Sequence, residues 1–310
     1  MDYKKASLEF KKLVSKYRRV TIISHIRPDG DTISSALTLY NLFKEIGVTS
    51  ELVCNDAYLP KEFAFLNGFD RFKQKISYDD SLVICVDCAV VNRCGFDLSS
   101  KEIVNIDHHQ DNSNFGDLNI VSVEASTTLV LYKLIKEGFR ITKNIAEAIY
   151  TGLISDSQNF TTSLTNQDSF DIARDLLNYN IDINFIANRV NRYKALSHIR
   201  LKAKAIDSMQ LFVDGSVAIM VLTKEDLDST GATYSNIHGI IDEAISLATV
   251  DIAILIVEYG NSLKVSLRSK NANVSNIARI FGGGGHKNAS GFEVKDGNII
   301  NIKDRLLKIL

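Results

Sequence analysis

Short apolar runs rich in β-branched residues alternate with segments of helical periodicity, and this alternation limits the possible folds more than any other feature of the chain. The run Val20–Ser24 is followed by a helical pattern from Ile33 to Phe43, which stops at Gly47. Further apolar runs cover 50–54, 82–86 and 102–106, and further helical patterns cover 6–17, 126–137, 144–156 and 167–179. Strands that alternate with helices predict an α/β fold whose parallel sheet is covered on both faces.

The pattern changes after about residue 182, and a chain of 310 residues is long enough for two domains. Polar residues with spaced apolar ones over 183–209 predict a connecting helix. A second alternating set follows, with strands near 210–213, 217–222, 252–257 and 263–267 and helices near 237–247 and 273–281. We therefore predict one domain over residues 1–185, a linker helix over 186–208 and a smaller α/β domain over 209–310.

Charge and composition exclude several classes of protein. The formal net charge of −1 argues against a broad basic surface for long nucleic acid, although it leaves room for a small phosphate site. The longest apolar runs, of about six residues, are far below the roughly 18 to 20 that span a bilayer. The first residues contain many Lys and Arg and no apolar segment, so we expect no secretory signal.

Four cysteines in a chain without a signal peptide predict reduced thiols and a cytoplasmic location. Cys85 and Cys88 form a C-x-x-C pair, which raises the question of a zinc or redox site. Cys85 lies within an apolar run, however, and no second pair follows it. Small buried residues are therefore the favoured interpretation of these cysteines.

Acidic and histidine residues follow three of the predicted strands. They are His25, Asp29 and Asp31 after the first strand, Asp87 after the third, and Asp107, His108 and His109 after the fourth. Parallel strands bring their carboxyl ends to one edge of the sheet, where ligands bind in such folds. A turn with Asp31 as the helix N-cap is a simpler explanation of the first group, but it leaves the histidine and the other aspartate unexplained.

Asp156 is a carboxylate on a face that should be buried. In the predicted helix 144–156 it lies within about 20° of Ile149 around the helix axis. A buried, unpaired carboxylate is unfavourable by several kcal/mol unless it has a cation or a shifted pKa. No Lys or Arg lies in the preceding turn. The alternative is that Asp156 simply ends the helix and turns to solvent.

Together these residues bring carboxylates and imidazoles to one edge of the sheet, where like charges require cations between them. Hard oxygen ligands mixed with imidazole favour Mn²⁺ or a similar divalent ion over thiolate-bound zinc. The donors outnumber those needed by one ion that keeps open positions. The sequence therefore predicts a two-metal centre with one bridging carboxylate, of the kind that hydrolyses phosphoryl groups by in-line attack.

The segments HIRPDGD, VDC, IDHH and GLISDS, in this order, resemble the four motifs of the DHH phosphoesterase family. The segment GGGGHKNASG at 282–291 resembles the signature of the DHH-associated C-terminal domain. In length the chain is similar to the stand-alone nanoRNase and pAp phosphatase type rather than to larger RecJ-type exonucleases. The resemblance implies a DHH catalytic domain over 1–185, a substrate-binding domain over 209–310 and a cleft between these two lobes.

The resemblance also implies a role for each matched residue. His25, Asp29 and Asp87 match the ligands of one metal ion, and Asp31, Asp87, His108 and Asp156 match those of a second, with Asp87 bridging. His109 matches the histidine that contacts the scissile phosphate, and Asp107 would orient a neighbouring group. Thr32 and Ser34 stand where the family commonly has Ala and Gly, but both remain small.

The glycine run has a physical interpretation of its own. Gly282 is suited to end the predicted helix 273–281. The other glycines would let backbone N–H groups approach an anion, with Arg268 and His286 as further donors, although a flexible hinge is an alternative. The resemblance implies that this domain holds the terminal nucleotide. The predicted substrate-binding residues are Arg268, Gly283, Gly284, Gly285 and His286.

We therefore expect a Mn²⁺-dependent phosphoesterase that hydrolyses very short oligoribonucleotides to nucleoside 5′-monophosphates, and also pAp to AMP and phosphate. One alternative is a phosphodiesterase acting on c-di-AMP or pApA. Another is a catalytically inactive nucleotide-binding module, which would normally show a missing ligand. The expected partners are short RNA or small nucleotides, with no membrane and no long duplex, and a homodimer stays open.

Overall fold

The computed structural model describes residues 1–310 except for the side chain of Ser235. The chain divides into two compact units, Met1–Tyr193 and Lys194–Leu310. Within the described part of the chain, no helix has the length and apolar character needed to cross a membrane.

The first unit is built on a six-stranded sheet in which every neighbouring pair is parallel. Its strands are β1 (Arg19–Ser24), β2 (Thr49–Cys54), β3 (Phe72–Lys73), β4 (Leu82–Val86), β5 (Ile103–Asp107) and β6 (Leu118–Val121), in the order β3-β2-β1-β4-β5-β6. Since β4 and β5 are buried along their whole length, their sequences are continuous apolar runs rather than alternating ones. The predicted parallel sheet is confirmed.

The two faces of this sheet are covered differently. The helices of the unit are α1 (Tyr3–Val14), α2 (Gly30–Glu45), α3 (Thr127–Lys136), α4 (Lys143–Asp156), α5 (Gln167–Leu176) and α6 (Ile183–Arg192). Side chains from α1 to α4 share the main core with one face of the sheet. On the other face, loop residues and Cys85, Cys88 and Cys94 form a smaller core. All four cysteines are unpaired and buried, as the sequence favoured.

The second unit contains a mixed sheet. Its strands are β7 (Gln210–Phe212), β8 (Val217–Leu222), β9 (Ile252–Tyr259), β10 (Ser262–Ser269), β11 (Gly284–Gly285) and β12 (Ala289–Lys295), in the order β11-β12-β10-β9-β8-β7. Only β8 and β9 run parallel. The helices α7 (Leu196–Asp207), α8 (Lys224–Thr230), α9 (Ile241–Ile245), α10 (Val274–Ile280) and α11 (Ile299–Leu307) cover both faces. The smaller α/β unit is therefore confirmed.

The segment predicted as one connecting helix contains two. The first helix, α6, ends at Arg192, and α7 begins at Leu196. Tyr193 lies between them with φ −85° and ψ 87°, outside the helical region. Apolar spacing continues across this break, and for that reason the sequence pattern did not reveal it.

Candidate metal centre

The turn after β1 forms the base of the site. The sheet order places β1 beside β4, and the chain continues from these two strands toward opposite edges, so their carboxyl ends flank a crevice. Asp29 is the N-cap of α2, and its side chain accepts hydrogen bonds from the N–H groups of Asp31 and Thr32, each at 3.1 Å. The alternative interpretation, in which Asp31 is the helix N-cap, was therefore wrong. Asp31 is instead 1% exposed and belongs to the acidic cluster beyond the cap.

His25, Asp29 and Asp87 come together as a first group of potential metal ligands. The Nε2 atom of His25 lies 3.6 Å from an Asp29 oxygen and 3.4 Å from Asp87 Oδ2. The other ring nitrogen lies 2.9 Å from the carbonyl oxygen of Ile26, which orients the imidazole. His25 Nε2 is buried and has no hydrogen-bond partner of good geometry, as expected of an atom placed to bind a cation.

Asp31, His108 and Asp156 form a second group. His108 Nε2 lies 3.5 Å from Asp156 Oδ2 and 3.6 Å from Asp87 Oδ1. The Nδ1 atom of the same ring lies 3.0 Å from the carbonyl oxygen of Glu124. Asp87 thus faces both groups, with Oδ2 toward His25 and Oδ1 toward His108.

Asp156 is the last residue of α4, and its side chain is 34% exposed. It lies beside His108 rather than alone in solvent, so the helical periodicity placed it correctly. After Ser157, the C-cap of α4, Gln158, Asn159 and Phe160 have φ values of 47°, 58° and 66°. Asn159 is held by a reciprocal pair of amide hydrogen bonds to Asn191 of α6, at 2.8 and 3.0 Å. A left-handed turn of three non-glycine residues therefore follows Asp156.

His109 and Asp107 form a hydrogen-bonded pair at the end of β5. His109 Nδ1 lies 2.7 Å from Asp107 Oδ1, and a carboxylate can only accept there, so Nδ1 carries the hydrogen. Asp107 also accepts from the N–H of His108 at 2.8 Å and from the side-chain amide of Asn112. Asp107 is fully buried and its oxygens are already used within the chain. Its geometry suits orientation of His109.

The acids and imidazoles of the site shift each other's protonation. Burial lowers the pKa of His25, but the neighbouring carboxylates of Asp29 and Asp87 outweigh it and raise the pKa to about 10. Burial also lowers the pKa of His108, but the charges of Asp87 and Asp31 outweigh it and raise the pKa to about 9. Burial, with the charge of Asp87, raises the pKa of Asp156 to about 7 despite the opposing effect of His108. Protons thus supply the positive charge that the cluster requires.

The sequence analysis did not identify the start of α3 as part of the site. The backbone N–H groups of Thr127 and Thr128 donate to the two oxygens of Asp31 at 2.6 and 3.2 Å. Gly152 of α4 packs against the same two residues, Thr128 and Asp31. A Cβ atom at position 152 would lie 2.4 Å from Thr128 and 2.8 Å from Asp31. The run Ser126-Thr127-Thr128, polar and buried at the start of an otherwise apolar helix, is the signal that could have indicated a site.

The predicted substrate residues lie in the second unit. Gly282 has φ 77° and follows the end of α10, as predicted. Gly284 and Gly285 form the short strand β11, which pairs with β12, so part of the glycine run belongs to a hairpin. Arg268, near the end of β10, is the register partner of Ala289 in β12, and its Nε lies 3.9 Å from Asp242. The turn containing His286 joins β11 to β12.

Two family models match this chain. The model of the DHH family, N-terminal domain, matches residues 19–153, and that of the DHHA1 domain matches residues 214–310. The first range includes every candidate metal ligand except Asp156, and the second includes the glycine hairpin.

Similar proteins align over most of the chain. The Bacillus subtilis protein named bifunctional oligoribonuclease and PAP phosphatase NrnA is 25% identical over 92% of this chain and 92% of its own. The Thermus thermophilus protein of that name is 25% identical over 93% of this chain and 88% of its own. A crystal structure of an exopolyphosphatase-related protein from Bacteroides fragilis has a TM-score of 0.89 and 26% identity, over 98% of this chain and 96% of that one.

Proposed function

Because this chain belongs to the DHH phosphoesterase family, with a DHH N-terminal domain followed by a DHHA1 domain, we propose that it hydrolyses very short oligoribonucleotides and pAp. The similar proteins from B. subtilis and T. thermophilus are named for these two activities. The observation that carries the proposal is the position of Asp87, which has one oxygen toward each of the two ligand groups. A carboxylate with one oxygen toward each group can bridge two ions of a centre that hydrolyses phosphoryl groups.

The residues present fit divalent ions. The separations of 3.4 to 3.6 Å between His25 or His108 and the neighbouring carboxylates are too long for good hydrogen bonds. They suit pairs of donors that share one ion at metal–ligand distances of roughly 2 Å. None of the potential ligand groups found in the described residues contains a cysteine.

We propose two Mn²⁺ ions as the cofactor. The first would be held by His25, Asp29 and Asp87, and the second by Asp31, Asp87, His108 and Asp156. Carboxylates mixed with imidazole suit Mn²⁺ better than a thiolate-selective ion. When bound, the ions would act as Lewis acids toward the phosphoryl group and the attacking water.

His109 is our candidate for contact with the scissile phosphate. Because Nδ1 donates to Asp107, the Nε2 side of the ring is directed away from that anchor. Burial lowers the pKa of His109, but the hydrogen bond to Asp107 and the charge of Asp87 outweigh it, so its pKa is raised. A protonated Nε2 would donate to a phosphoryl oxygen as negative charge develops there. Asp107 would keep the ring in this orientation throughout the reaction.

The second unit would bind the nucleotide end of the substrate. We propose Arg268 and His286 as phosphate donors, with Gly283, Gly284 and Gly285 allowing close approach of the substrate to the backbone. The side chain of Arg268 is 38% exposed. Its Nη1 donates to the carbonyl oxygen of Leu267 at 3.1 Å and its Nε lies 3.9 Å from Asp242, so further guanidinium N–H groups can reach an incoming anion. A few such contacts suffice for a small nucleotide, which agrees with a net charge of −1.

The four unpaired cysteines support the expected cytoplasmic location.

The test is a comparison of substrates in parallel. Protein stripped with a chelator and reloaded with Mn²⁺ is incubated with a labelled diribonucleotide, pAp, pApA and c-di-AMP. We expect release of nucleoside monophosphate from the diribonucleotide and of phosphate from pAp, with little activity before reloading. Preferential hydrolysis of c-di-AMP or pApA would replace the proposed substrates with the cyclic-dinucleotide alternative. Binding of all four without turnover would identify an inactive module.

A further inference from the structure

Thr127, the first residue of α3, contacts carboxylates from both ligand groups. Its backbone N–H donates to Asp31 Oδ2 at 2.6 Å, and its hydroxyl donates to Asp87 Oδ1 at 2.9 Å. The residue is fully buried, so water does not compete for these bonds. Asp31 belongs to the second ligand group and Asp87 to the first, so one residue connects the two.

The hydroxyl of Thr127 is not needed to cap the helix. Ser126 is the N-cap of α3, and its side chain accepts from the N–H of Leu129. The hydroxyl of Thr128 pairs with Ser126 at 2.7 Å. Of these three neighbouring hydroxyl groups, that of Thr127 is the one directed at a proposed metal ligand.

The bond from Thr127 fixes the rotation of the Asp87 carboxylate. Asp87 Oδ2 faces His25 at 3.4 Å, and Oδ1 faces His108 at 3.6 Å. Both ions can share the carboxylate only while its two oxygens keep these directions. A donor on one defined oxygen stabilises this rotation over others, as ligand-orienting hydrogen bonds do in metal sites.

The segment that holds Thr127 is itself anchored. The carbonyl oxygen of Glu124 faces His108 Nδ1, and the Glu124 side chain pairs with Lys133 of α3 at 2.7 Å. Both partners of this ion pair are largely buried, at 9% and 19% side-chain exposure. The Thr127 hydroxyl therefore projects from a fixed backbone.

We propose that Thr127 is a positioning residue that holds Asp87 as the bridge between two metal ions. The proposal rests on the dinuclear centre of the proposed function. It adds a residue outside the ligand set, and it assigns the orientation of Asp87 to a side chain of α3 rather than to the backbone that follows β4.

The experiment measures metal binding rather than activity. Mn²⁺ is titrated into the apoprotein by calorimetry, and the loaded protein is examined by electron paramagnetic resonance for magnetic coupling between two Mn²⁺ ions. In Thr127→Val the hydroxyl is replaced by a methyl group, and we expect about a 10- to 100-fold loss of affinity for one ion. The coupled signal should give way to that of isolated Mn²⁺. Thr127→Ser keeps the hydroxyl and should restore both properties.

Thr151→Val is the matched control. Thr151 is a fully buried threonine of α4 whose hydroxyl donates to the backbone carbonyl of Glu147 at 2.7 Å. This variant also loses a buried hydrogen bond, but none to an acidic ligand, so its Mn²⁺ affinity and coupling should stay at the wild-type values. Equal losses in both valine variants would mean that Thr127 has only a structural role, and the proposal would be overturned.

The outcomes separate this proposal from the proposed function. If the wild-type protein binds fewer than two Mn²⁺ ions, the dinuclear centre itself is wrong. If the wild type binds two coupled ions and Thr127→Val does the same with equal affinity, only the role of Thr127 is wrong. Should Thr127→Val fail to fold by circular dichroism, Thr127→Ala and Thr127→Ser are compared, because both lack the methyl group and they differ only in the hydroxyl.

Discussion

The candidate metal centre of the first unit and the glycine hairpin of the second unit differ in how firmly their residues are held. Asp31, Asp87 and His108 are all less than 8% exposed. Asp31 and Asp87 accept hydrogen bonds from Thr127, and His108 faces the carbonyl oxygen of Glu124, just before α3. In the hairpin, Gly284, Gly285 and His286 are exposed. A set of like charges around metal ions requires fixed positions before binding, whereas a site for an incoming nucleotide must remain accessible. Changes in the first region should therefore affect metal binding, and changes in the second should affect substrate binding.

The largest effect should come from Asp87→Asn, which removes the charge of the proposed bridging ligand. Asn is chosen because residue 87 has φ 59°, a left-handed conformation that Asn tolerates better than Ala. We expect turnover of a diribonucleotide to fall about a thousandfold, with loss of tight Mn²⁺ binding. Asp97→Asn at an exposed acidic residue is the control and should behave as wild type. Near-normal turnover in Asp87→Asn would contradict the dinuclear assignment.

Gly152→Ala tests how tightly the first region is packed. The new Cβ would lie 2.4 Å from Thr128 and 2.8 Å from Asp31, so α3 or α4 must shift. We expect a destabilisation of about 1–3 kcal/mol and Mn²⁺ affinity weakened about 10- to 100-fold. Thermal unfolding and Mn²⁺ calorimetry measure the two effects.

Gly284→Ala is the counterpart of that change in the second region, because no heavy atom lies within 4 Å of the place that its new Cβ would take. We expect its melting temperature and Mn²⁺ affinity to remain those of the wild type. If Gly284→Ala were as damaging to metal binding as Gly152→Ala, the difference drawn between the two regions would be incorrect.

A dependence of Mn²⁺ affinity on pH should also distinguish the first region. Metal ligation needs neutral imidazole, whereas His25 and His108 have pKa values of about 10 and 9 in the folded protein. Protons therefore compete with the metal below these values, and affinity should rise between pH 7 and pH 9. Each proton released contributes about a tenfold change per pH unit. Calorimetry in buffers of different ionisation enthalpy counts the protons, and an affinity independent of pH would contradict the pairing of these histidines with carboxylates.

The smallest effect should come from Arg268→Ala in the second region. We expect KM for a diribonucleotide to rise about tenfold because a charge-assisted donor is lost, with little change in kcat or Mn²⁺ affinity. Lys308→Ala removes an exposed cation elsewhere in the same unit and serves as the control. If Arg268→Ala emptied the metal site instead, the division of roles between the two regions would be wrong.

The sequence predicted the fold and the acidic cluster because both depend on local patterns. The burial of β4 appears as an unbroken apolar run, and the period of α4 placed Asp156 on the correct face. Thr127 could not be found in this way, since its bond to Asp31 joins residues 96 positions apart and no periodicity links them. The break at Tyr193 was missed because helical spacing continues through it. The glycine run predicted an unusual backbone conformation. It did not predict β11, because β11 forms only by pairing with β12, a strand that the sequence pattern did not predict.

The left-handed turn at Gln158, Asn159 and Phe160 has a consequence for engineering this protein. Non-glycine residues in that conformation carry a conformational penalty of order 1 kcal/mol each, so glycine at residue 158 is an obvious route to a higher melting temperature. The same turn begins two residues after Asp156, and the hydrogen bonds between Asn159 and Asn191 hold it in place. Glycine at residue 158 would also make the backbone near the Asp156 carboxylate more flexible. Melting temperature and catalytic rate should therefore be measured together in such a variant.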